Sequence, residues 1–273
     1  MHAWIDGRLL TDPAAPALPV NDHGVVVGDG VFETIKVLAG APFALEPHLD
    51  RLMRSAAGIG LTELDLATVR QGIKEVLTAE RLPLGRLRIT VTSGAGPFGS
   101  ARPEVPPTIM IAAESTMPSP AETSVVTVPW RRNEFGALTG LKTTSYAENV
   151  VALAEARRHG ATEAIFANTA GDLCEGTGSN IFYVVDGELR TPTLASGCLA
   201  GVTRALVLEW YGGREVDAPL EQIRSGASEA FVVSTLRDVQ AITRWDDRGL
   251  PYGPVTAAAR DAWRSREQSL VGF

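Results

Sequence analysis

Lysine is rare in this sequence, and its scarcity indicates where amine chemistry could occur. The chain has 25 lysines and arginines together, of which only Lys36, Lys74 and Lys142 are lysines. Arginine supplies a permanent positive charge, but it does not lose a proton to become a neutral amine nucleophile. Each lysine is therefore a candidate nucleophile or base, with an ordinary charge as the alternative.

The three lysines differ in their surroundings. Lys74 falls on the polar side of a helix predicted over 66–77, so we interpret it as a solvated charge. Lys36 lies on a predicted strand over 31–38, where a solubilising charge on an edge strand is the simpler interpretation. Lys142 has small or uncharged neighbours and precedes a predicted helix. A lysine held there could have a lowered pKa and act as nucleophile and base, and the residues alone leave both roles open.

Two predicted helices are delimited by cap signals. The first runs from Ser145 to His159, because Ser145 and Glu148 have the spacing of a capping box and Gly160 follows where a C-terminal glycine belongs. The second begins near Gly201 and ends at two glycines, 212–213.

The chain is long enough for one large domain or two modest ones, each with a real core. Two prolines among polar residues make 115–122 the best linker candidate. We therefore predict a smaller N-terminal α/β domain at 1–118, a linker at 119–123 and a larger C-terminal domain at 124–273.

Composition excludes several classes of protein. With 45% hydrophobic residues and a formal charge of −7, the chain is neither a disordered polymer nor a good candidate for binding nucleic acid or an anionic membrane. Its two cysteines and four histidines match no metal motif, so we expect no metal site. Without a leader segment or an apolar run of about 20 residues, we expect a cytoplasmic protein.

Six short motifs identify a family by their order. They are Gly-Asp-Gly at 28–30, His-Leu-Asp-Arg-Leu at 48–52, Leu-Lys at 141–142, Glu-Gly-Thr-Gly-Ser-Asn at 175–180, Gly-Val-Thr-Arg at 201–204 and Ser-Thr at 234–235. Together they resemble the class IV aminotransferases, which are pyridoxal-phosphate (PLP) enzymes of fold type IV. The resemblance implies an α/β fold, with a small α+β domain and a larger domain containing a barrel-like mixed sheet. It also implies PLP bound between the domains, a small amino substrate and a homodimer.

The resemblance assigns roles to single residues. Lys142 would form the Schiff base with PLP and later move the proton. Glu175 would face the pyridine nitrogen and keep it protonated, so that the ring can accept electrons. Tyr146 would approach the phenolic oxygen of PLP, with a tyrosine packed under the helix as the alternative.

The remaining assigned residues would bind the cofactor phosphate. Arg51 would contribute a charge-assisted fork, and a surface arginine is its alternative. A helix start offers backbone N–H groups to an anion, and hydroxyls would add to them. These further groups are the N–H of Val202, the N–H and hydroxyl of Thr203, and the hydroxyl of Thr235, with Gly201 permitting close approach of the backbone.

Within the family, the motifs favour one reaction. The run at 143–146 lacks the Gly-Gly-Asn-Tyr of branched-chain aminotransferases, and the loop at 93–100 lacks the Arg-x-His of D-amino acid aminotransferases. Val27 replaces the usual aromatic residue. The glycine-rich loop and the Glu-Asn-Val at 148–150 are most similar to 4-amino-4-deoxychorismate lyase of folate biosynthesis, which releases 4-aminobenzoate and pyruvate.

Two other functions stay open. In an aminotransferase, Lys142 would return the proton to the C4′ carbon of PLP instead. A non-catalytic module that binds a phosphate ligand is the remote alternative. For substrate carboxylates we nominate Arg237, which follows Thr235 by two residues, and Arg131, although Arg131 and Arg132 could equally be a solvated pair.

Overall fold

A computed structural model describes residues 1–12, 14–102 and 104–273. The chain forms two compact units that are discontinuous in sequence. The first unit comprises residues 1–117, 141–145 and 270–273, and the second comprises 118–140 and 146–269. The contiguous division predicted at 119–123 stays a prediction, but Lys142 lies in the first unit, although residues of the second unit flank it on both sides.

The first unit is built on an antiparallel sheet of six strands. These are β1 (His2–Ile5), β2 (Arg8–Leu10), β3 (Gly30–Leu38), β4 (Ala41–Pro42), β5 (Leu84–Thr92) and β6 (Thr108–Ser115), in the order β2-β1-β6-β5-β3-β4. Strand β5 alternates buried apolar residues with exposed polar ones, as expected for a sheet with one covered face, whereas β3 is buried along most of its length on both faces.

Two helices, α2 (Leu45–Gly58) and α3 (Leu66–Ala79), cover the apolar side of this sheet, and the short α1 (His23–Val26) lies against Thr92 at the end of β5. Asp65 caps α3 through bonds from the N–H groups of Ala67 and Thr68. Leucine, isoleucine and valine side chains of α2, α3 and the sheet form one buried core, which includes Leu49, Ile73 and Ile89.

Lys74 and Lys36 differ in exposure. Lys74 is exposed on α3, as predicted. Lys36 is buried, so its interpretation as an exposed edge charge is wrong. The strand does not end at a free edge there, because the N–H of Phe43 donates to the Lys36 carbonyl at 2.8 Å.

The second unit contains a mixed sheet of nine strands. These are β7 (Glu122–Arg132), β8 (Glu163–Asn168), β9 (Leu173–Gly176), β10 (Asn180–Val185), β11 (Glu188–Thr191), β12 (Arg214–Glu215), β13 (Glu229–Ser234), β14 (Asp238–Trp245) and β15 (Arg248–Gly249). The order is β12-β11-β10-β13-β14-β7-β8-β9, with β15 beside β14. Strand β7 is parallel to both of its neighbours, and most other pairs are antiparallel.

Helices and two single turns complete this unit. The helices are α4 (Ala147–Arg158), α5 (Val202–Trp210), α6 (Leu220–Gly226) and α7 (Pro254–Arg266), and the turns are Leu194–Ser196 and Glu267–Leu270. In the described part of the chain, no helix is both long and apolar enough to span a bilayer.

The predicted capping box of α4 is wrong. The helix begins at Ala147, and the Ser145 hydroxyl donates instead to the Gly28 carbonyl at 3.2 Å. Glu148 binds Arg132 rather than the helix terminus. Both side chains have partners from distant parts of the chain, which local spacing does not reveal.

Candidate active site

Lys142 is held beside the start of β3 by backbone pairing. Its carbonyl accepts from the N–H of Phe32 at 3.0 Å, and its own N–H donates to the Ser55 hydroxyl on α2 at 3.1 Å. The next residues continue this contact, because Thr143 forms a bridge with Val31 and the Thr144 N–H donates to Gly30. The segment 141–145 therefore pairs with the start of β3, next to the Gly-Asp-Gly turn, as a short additional strand would.

The amine of Lys142 lies against an aromatic ring that a second cation also contacts. Lys142 Nζ is 4.3 Å from the centroid of the Phe32 ring, and the guanidinium carbon of Arg88 is 3.6 Å from the same centroid. Strands β3 and β5 are paired so that Phe32 opposes Thr90, two residues from Arg88. By these two distances, Nζ and the guanidinium carbon are within about 8 Å of each other.

Arg51 makes a fork with a buried carboxylate. Its Nε and one terminal nitrogen donate to the two oxygens of Glu33, each at 2.7 Å. Glu33 is fully buried in β3, and His48 Nδ1 is 2.8 Å from one of the same oxygens. These three side chains contact one another inside the first unit. Their contacts do not test phosphate binding by Arg51, which stays a prediction.

The charges of this group follow from burial and pairing. Burial by itself raises the pKa of Glu33, but the charge and hydrogen bonds of Arg51, with those of His48, outweigh it and lower the pKa to about 2. Burial lowers the pKa of His48, and the charges of Arg51 and Lys142 lower it further. The hydrogen bond and charge of Glu33 raise this pKa, but the net shift is downward. We therefore assign an ionised Glu33 and a neutral His48 that donates from Nδ1.

Glu175 lies on β9 in the second unit, directly opposite Phe166 of β8. One of its oxygens accepts from the N–H of Leu199 at 2.9 Å. The other oxygen is 3.3 Å from Nε of Arg132. The carboxylate is thus held by a backbone donor on one side and a cation on the other.

Tyr146 is partly buried close to Glu175. Burial raises the pKa of its phenol, the Glu175 charge adds to this effect, and Arg132 opposes it. A hydroxyl that stays protonated can donate a hydrogen bond to an anionic oxygen. This environment fits the predicted contact with a phenolate, and the contact itself stays a prediction.

The N-terminus of α5 has the character of an anion site. Its N-cap is Gly201, which has no side chain to cap the first turn, and Val202 and Thr203 are buried there. Gly201 is required for another reason as well, because a Cβ atom there would lie 1.9 Å from Oδ1 of Asn180. Thr235 lies in the turn between β13 and β14 and is partly buried.

The two arginines nominated for substrate carboxylates lie in different settings. Arg237 donates to Gln240 at 2.5 Å and to the Thr162 carbonyl at 2.9 Å, and its NH2 nitrogen is 3.6 Å from Glu163. Arg131 is exposed on β7. Neither role is tested by these contacts, and both stay predictions.

Sequence reasoning missed three charged residues of these sites. Glu33 and Arg132 pair with Arg51 and Glu175 respectively. Glu163 is buried and accepts from the Thr177 N–H at 2.9 Å and the Ser179 hydroxyl at 2.8 Å. It therefore fixes the loop that joins Glu175 to Asn180. An acidic residue at an inward position of a predicted strand is the signal that could have revealed Glu33.

Comparison with known proteins identifies the family. The model of the amino-transferase class IV family matches residues 30–245. The chain belongs to this family. The class IV relatives include the bifunctional aminodeoxychorismate lyase / D-amino acid transaminase of Mycobacterium tuberculosis, which is 31% identical over 93% of this chain and 94% of its own length.

Two solved structures support the same assignment. The branched-chain aminotransferase of Thermoproteus uzoniensis superposes with a TM-score of 0.90 at 29% identity, covering 98% of this chain and 95% of that one. A hypothetical aminotransferase of Mycobacterium tuberculosis in PLP-bound form has a TM-score of 0.85 at 26% identity, covering 98% and 99%. The predicted α/β fold of fold type IV, the family resemblance and the PLP cofactor are thereby confirmed.

The residues present suit this cofactor. The aldehyde of PLP requires a lysine amine, and its pyridine nitrogen requires a carboxylate held in place. Its phosphate requires N–H and hydroxyl donors, which an uncapped helix start and a buried threonine supply. The chain is therefore a PLP-dependent enzyme of the class IV family, which acts on small amino and keto compounds.

Proposed function

We propose that this enzyme transfers an amino group between an amino acid and a 2-oxo acid. The observation that carries the proposal is the Arg88 guanidinium beside the same Phe32 ring that the Lys142 amine contacts. A cation within about 8 Å of the reactive amine can bind the carboxylate of an amino acid whose amine reacts there. Arg131 and Arg237 are the alternatives for this role.

PLP, when bound, supplies an electron sink for the carbanion formed at the amine-bearing carbon of the substrate. Lys142 Nζ would hold the cofactor covalently and, once displaced by the substrate amine, would take the proton from that carbon. Glu175 would face the pyridine nitrogen, and Tyr146 the phenolic oxygen. Arg51, Val202, Thr203 and Thr235 would bind the phosphate.

A second candidate is 4-amino-4-deoxychorismate lyase. The bifunctional relative with 31% identity supports it, as does the glycine-rich loop at 93–100. The Glu-Asn-Val motif no longer does, because Glu148 binds Arg132 and Asn149 donates to the Thr177 carbonyl at 2.6 Å. Both residues hold the second unit together, so their types carry no information about the substrate.

The assignment of Lys142 is tested by covalent trapping. Borohydride treatment of the yellow purified protein is expected to fix PLP on the peptide that contains Lys142. Lys142→Arg is the matched control, since it keeps the charge but not the nucleophile. A coloured protein with no adduct on this peptide would remove the basis for both candidate reactions.

The two reactions are separated by substrate assays. We expect 2-oxo acids to form from members of a panel of D- and L-amino acids, with little 4-aminobenzoate from aminodeoxychorismate. Robust release of 4-aminobenzoate without amino-group transfer would replace our proposal by the lyase.

We also propose that two copies of the chain associate, as is usual in this family. Helix α4 carries Val150, which is 65% exposed, next to the exposed Val151. These two exposed apolar side chains are where we place the contact with the partner. Light scattering should give the mass of a dimer for the native chain and a monomer after both valines are changed to serine. A native chain that is monomeric at every concentration would contradict this.

A further inference from the structure

Arg132, Phe166 and Glu175 come from three adjacent strands, with Arg132 paired to Asn168, two residues along β8 from Phe166. Strand β8 pairs with β7 on one side and with β9 on the other, and Phe166 stands directly opposite Glu175. The Arg132 guanidinium carbon is 4.0 Å from the Phe166 ring centroid, and its Nε is 3.3 Å from a Glu175 oxygen. The arginine side chain therefore crosses the aromatic ring to reach the carboxylate.

The other end of Arg132 is fixed to α4. Its NH1 nitrogen donates to Glu148 at 2.6 Å, and Glu148 is 51% exposed whereas Arg132 is 14% exposed. Nε of Arg132 is buried and makes no hydrogen bond to any residue in the three described ranges. Its closeness to Glu175 is therefore an attraction of charges, which reduced exposure to water strengthens.

We propose that Arg132 is the positioning residue of Glu175, which it keeps ionised and aimed in one direction. The inference rests on the proposed role of Glu175 toward the pyridine nitrogen of PLP. An ionised carboxylate holds a proton on that nitrogen, whereas a protonated carboxyl cannot. Partial burial favours the protonated form of Glu175, and a cation at its oxygen opposes this.

A purely structural role is the competing explanation, since Arg132 also links β7 to α4 through Glu148. Glu148→Gln breaks that link but leaves the cation beside Glu175. The comparison of Arg132→Gln with Glu148→Gln therefore separates the two roles. Arg158→Gln is a further matched control, because it removes an exposed arginine paired with Glu155 in the same unit.

Tyr146 before α4, Cys174 on β9 and Cys198 in the loop before α5 are ionisable groups near Glu175. Burial raises the pKa of all three, to about 11 for Cys198, so each stays neutral between pH 5 and 9. Two carboxylates lie in the same surroundings: Glu148 shares Arg132 with Glu175, and Glu163 accepts from Thr177 and Ser179. Glu148→Gln controls for the first, and the second keeps its partners in every variant, so a pH-dependent ratio found only for Arg132→Gln reports on Glu175.

The experiment measures the dissociation constant of PLP by absorbance from pH 5 to 9. For each variant, the ratio to the wild-type value at the same pH cancels the titration of Lys142 and of the phosphate. For Arg132→Gln we expect the ratio to rise to about tenfold near pH 5.5 and to stay below about threefold at pH 8, because the uncompensated carboxylate takes up a proton at higher pH. Arg132→Lys should follow the wild-type pH dependence, and Glu148→Gln and Arg158→Gln should give flat ratios.

Three results would overturn the inference. One is a flat ratio for Arg132→Gln, and another is a pH-dependent ratio of the same size for Glu148→Gln. The third is loss of the far-ultraviolet circular dichroism of Arg132→Gln together with a pH-dependent ratio for Arg132→Lys, which would make Arg132 a structural residue. If the wild-type chain instead lacks the PLP adduct on Lys142, the proposed function itself fails, and the trapping experiment distinguishes that case.

Discussion

Each unit of this enzyme pairs a carboxylate with an arginine, but the two pairs differ in kind. Glu33 has 0% exposure and receives a two-bond fork from Arg51 and a third contact from His48. Glu175 is 14% exposed and faces Arg132 at 3.3 Å through a nitrogen that makes no hydrogen bond within the described ranges. The first pair is fixed by geometry and belongs to the folded core, whereas the second is governed by charge and can respond to a ligand.

The largest expected effect comes from a substitution that leaves both carboxylate–arginine pairs intact. Lys142→Arg leaves each carboxylate with its arginine but removes the only candidate amine base of the segment. Activity should fall by about a thousandfold or more, because an arginine neither bonds to an aldehyde nor exchanges protons near neutral pH. Steady-state kinetics measures the loss, and the thermal midpoint should change little. Residual activity above one tenth of wild type would refute the role of Lys142.

Neutralising each carboxylate in turn tests most directly whether the two pairs contribute differently to stability. Glu33→Gln leaves the Arg51 charge buried without its partner, so it should lower the free energy of unfolding by about 3–5 kcal/mol. Glu175→Gln should lower it by less than about 1 kcal/mol, since this pair is partly solvated, while weakening PLP binding. Urea unfolding of the two apoproteins measures both values. Equal losses would mean that the two pairs are of one kind.

A third prediction concerns Arg88, the arginine proposed to bind the substrate carboxylate. Arg88→Gln should raise KM for the amino acid about tenfold, the loss expected for one charge-assisted hydrogen bond. Arg237→Gln is the control, because its guanidinium already donates to Gln240 and Thr162, and we expect a change below about threefold. The reverse result would restore Arg237 as the carboxylate ligand.

The last prediction is a pH dependence of stability that comes from the first pair. The pKa of Glu33 is lowered from its ordinary value of 4.5 to about 2, so its contribution to stability is fully present above pH 4.5. That contribution is lost as the pH falls from 4.5 through 2, because the unfolded chain takes up the proton first. The difference in unfolding free energy between wild type and Glu33→Gln should shrink across this range. A constant difference would contradict the assigned ionisation.

The sequence alone was sufficient to predict features that depend on local patterns. The family, the α/β fold and the cofactor follow from motifs whose residues are close in sequence. The helix over 66–77 was found because its apolar spacing is a local signal, and the structure has it at Leu66–Ala79. The capping box at Ser145 failed because its side chains bind Gly28 and Arg132, far away along the chain.

The charged partners Arg132 and Glu33 could not be found from the sequence for a related reason. Arg131 and Arg132 are adjacent, and successive residues of a strand point to opposite faces. Arg131 is exposed, whereas Arg132 reaches Glu175. An error of one residue in the predicted facing of the strand therefore exchanges one arginine for the other. Glu33 was visible as an inward acidic residue, but only the structure reveals the fork from α2 that makes its burial possible.

The discontinuity of the units has a consequence for dissecting this protein. The five residues 141–145, which include Lys142, are contributed to the first unit from within the sequence of the second, and the last four residues of the chain return to the first unit as well. No single cleavage of the polypeptide can therefore release either unit whole. A fragment ending near residue 117 would lack the lysine, and its complement would carry the lysine without the strand that holds it.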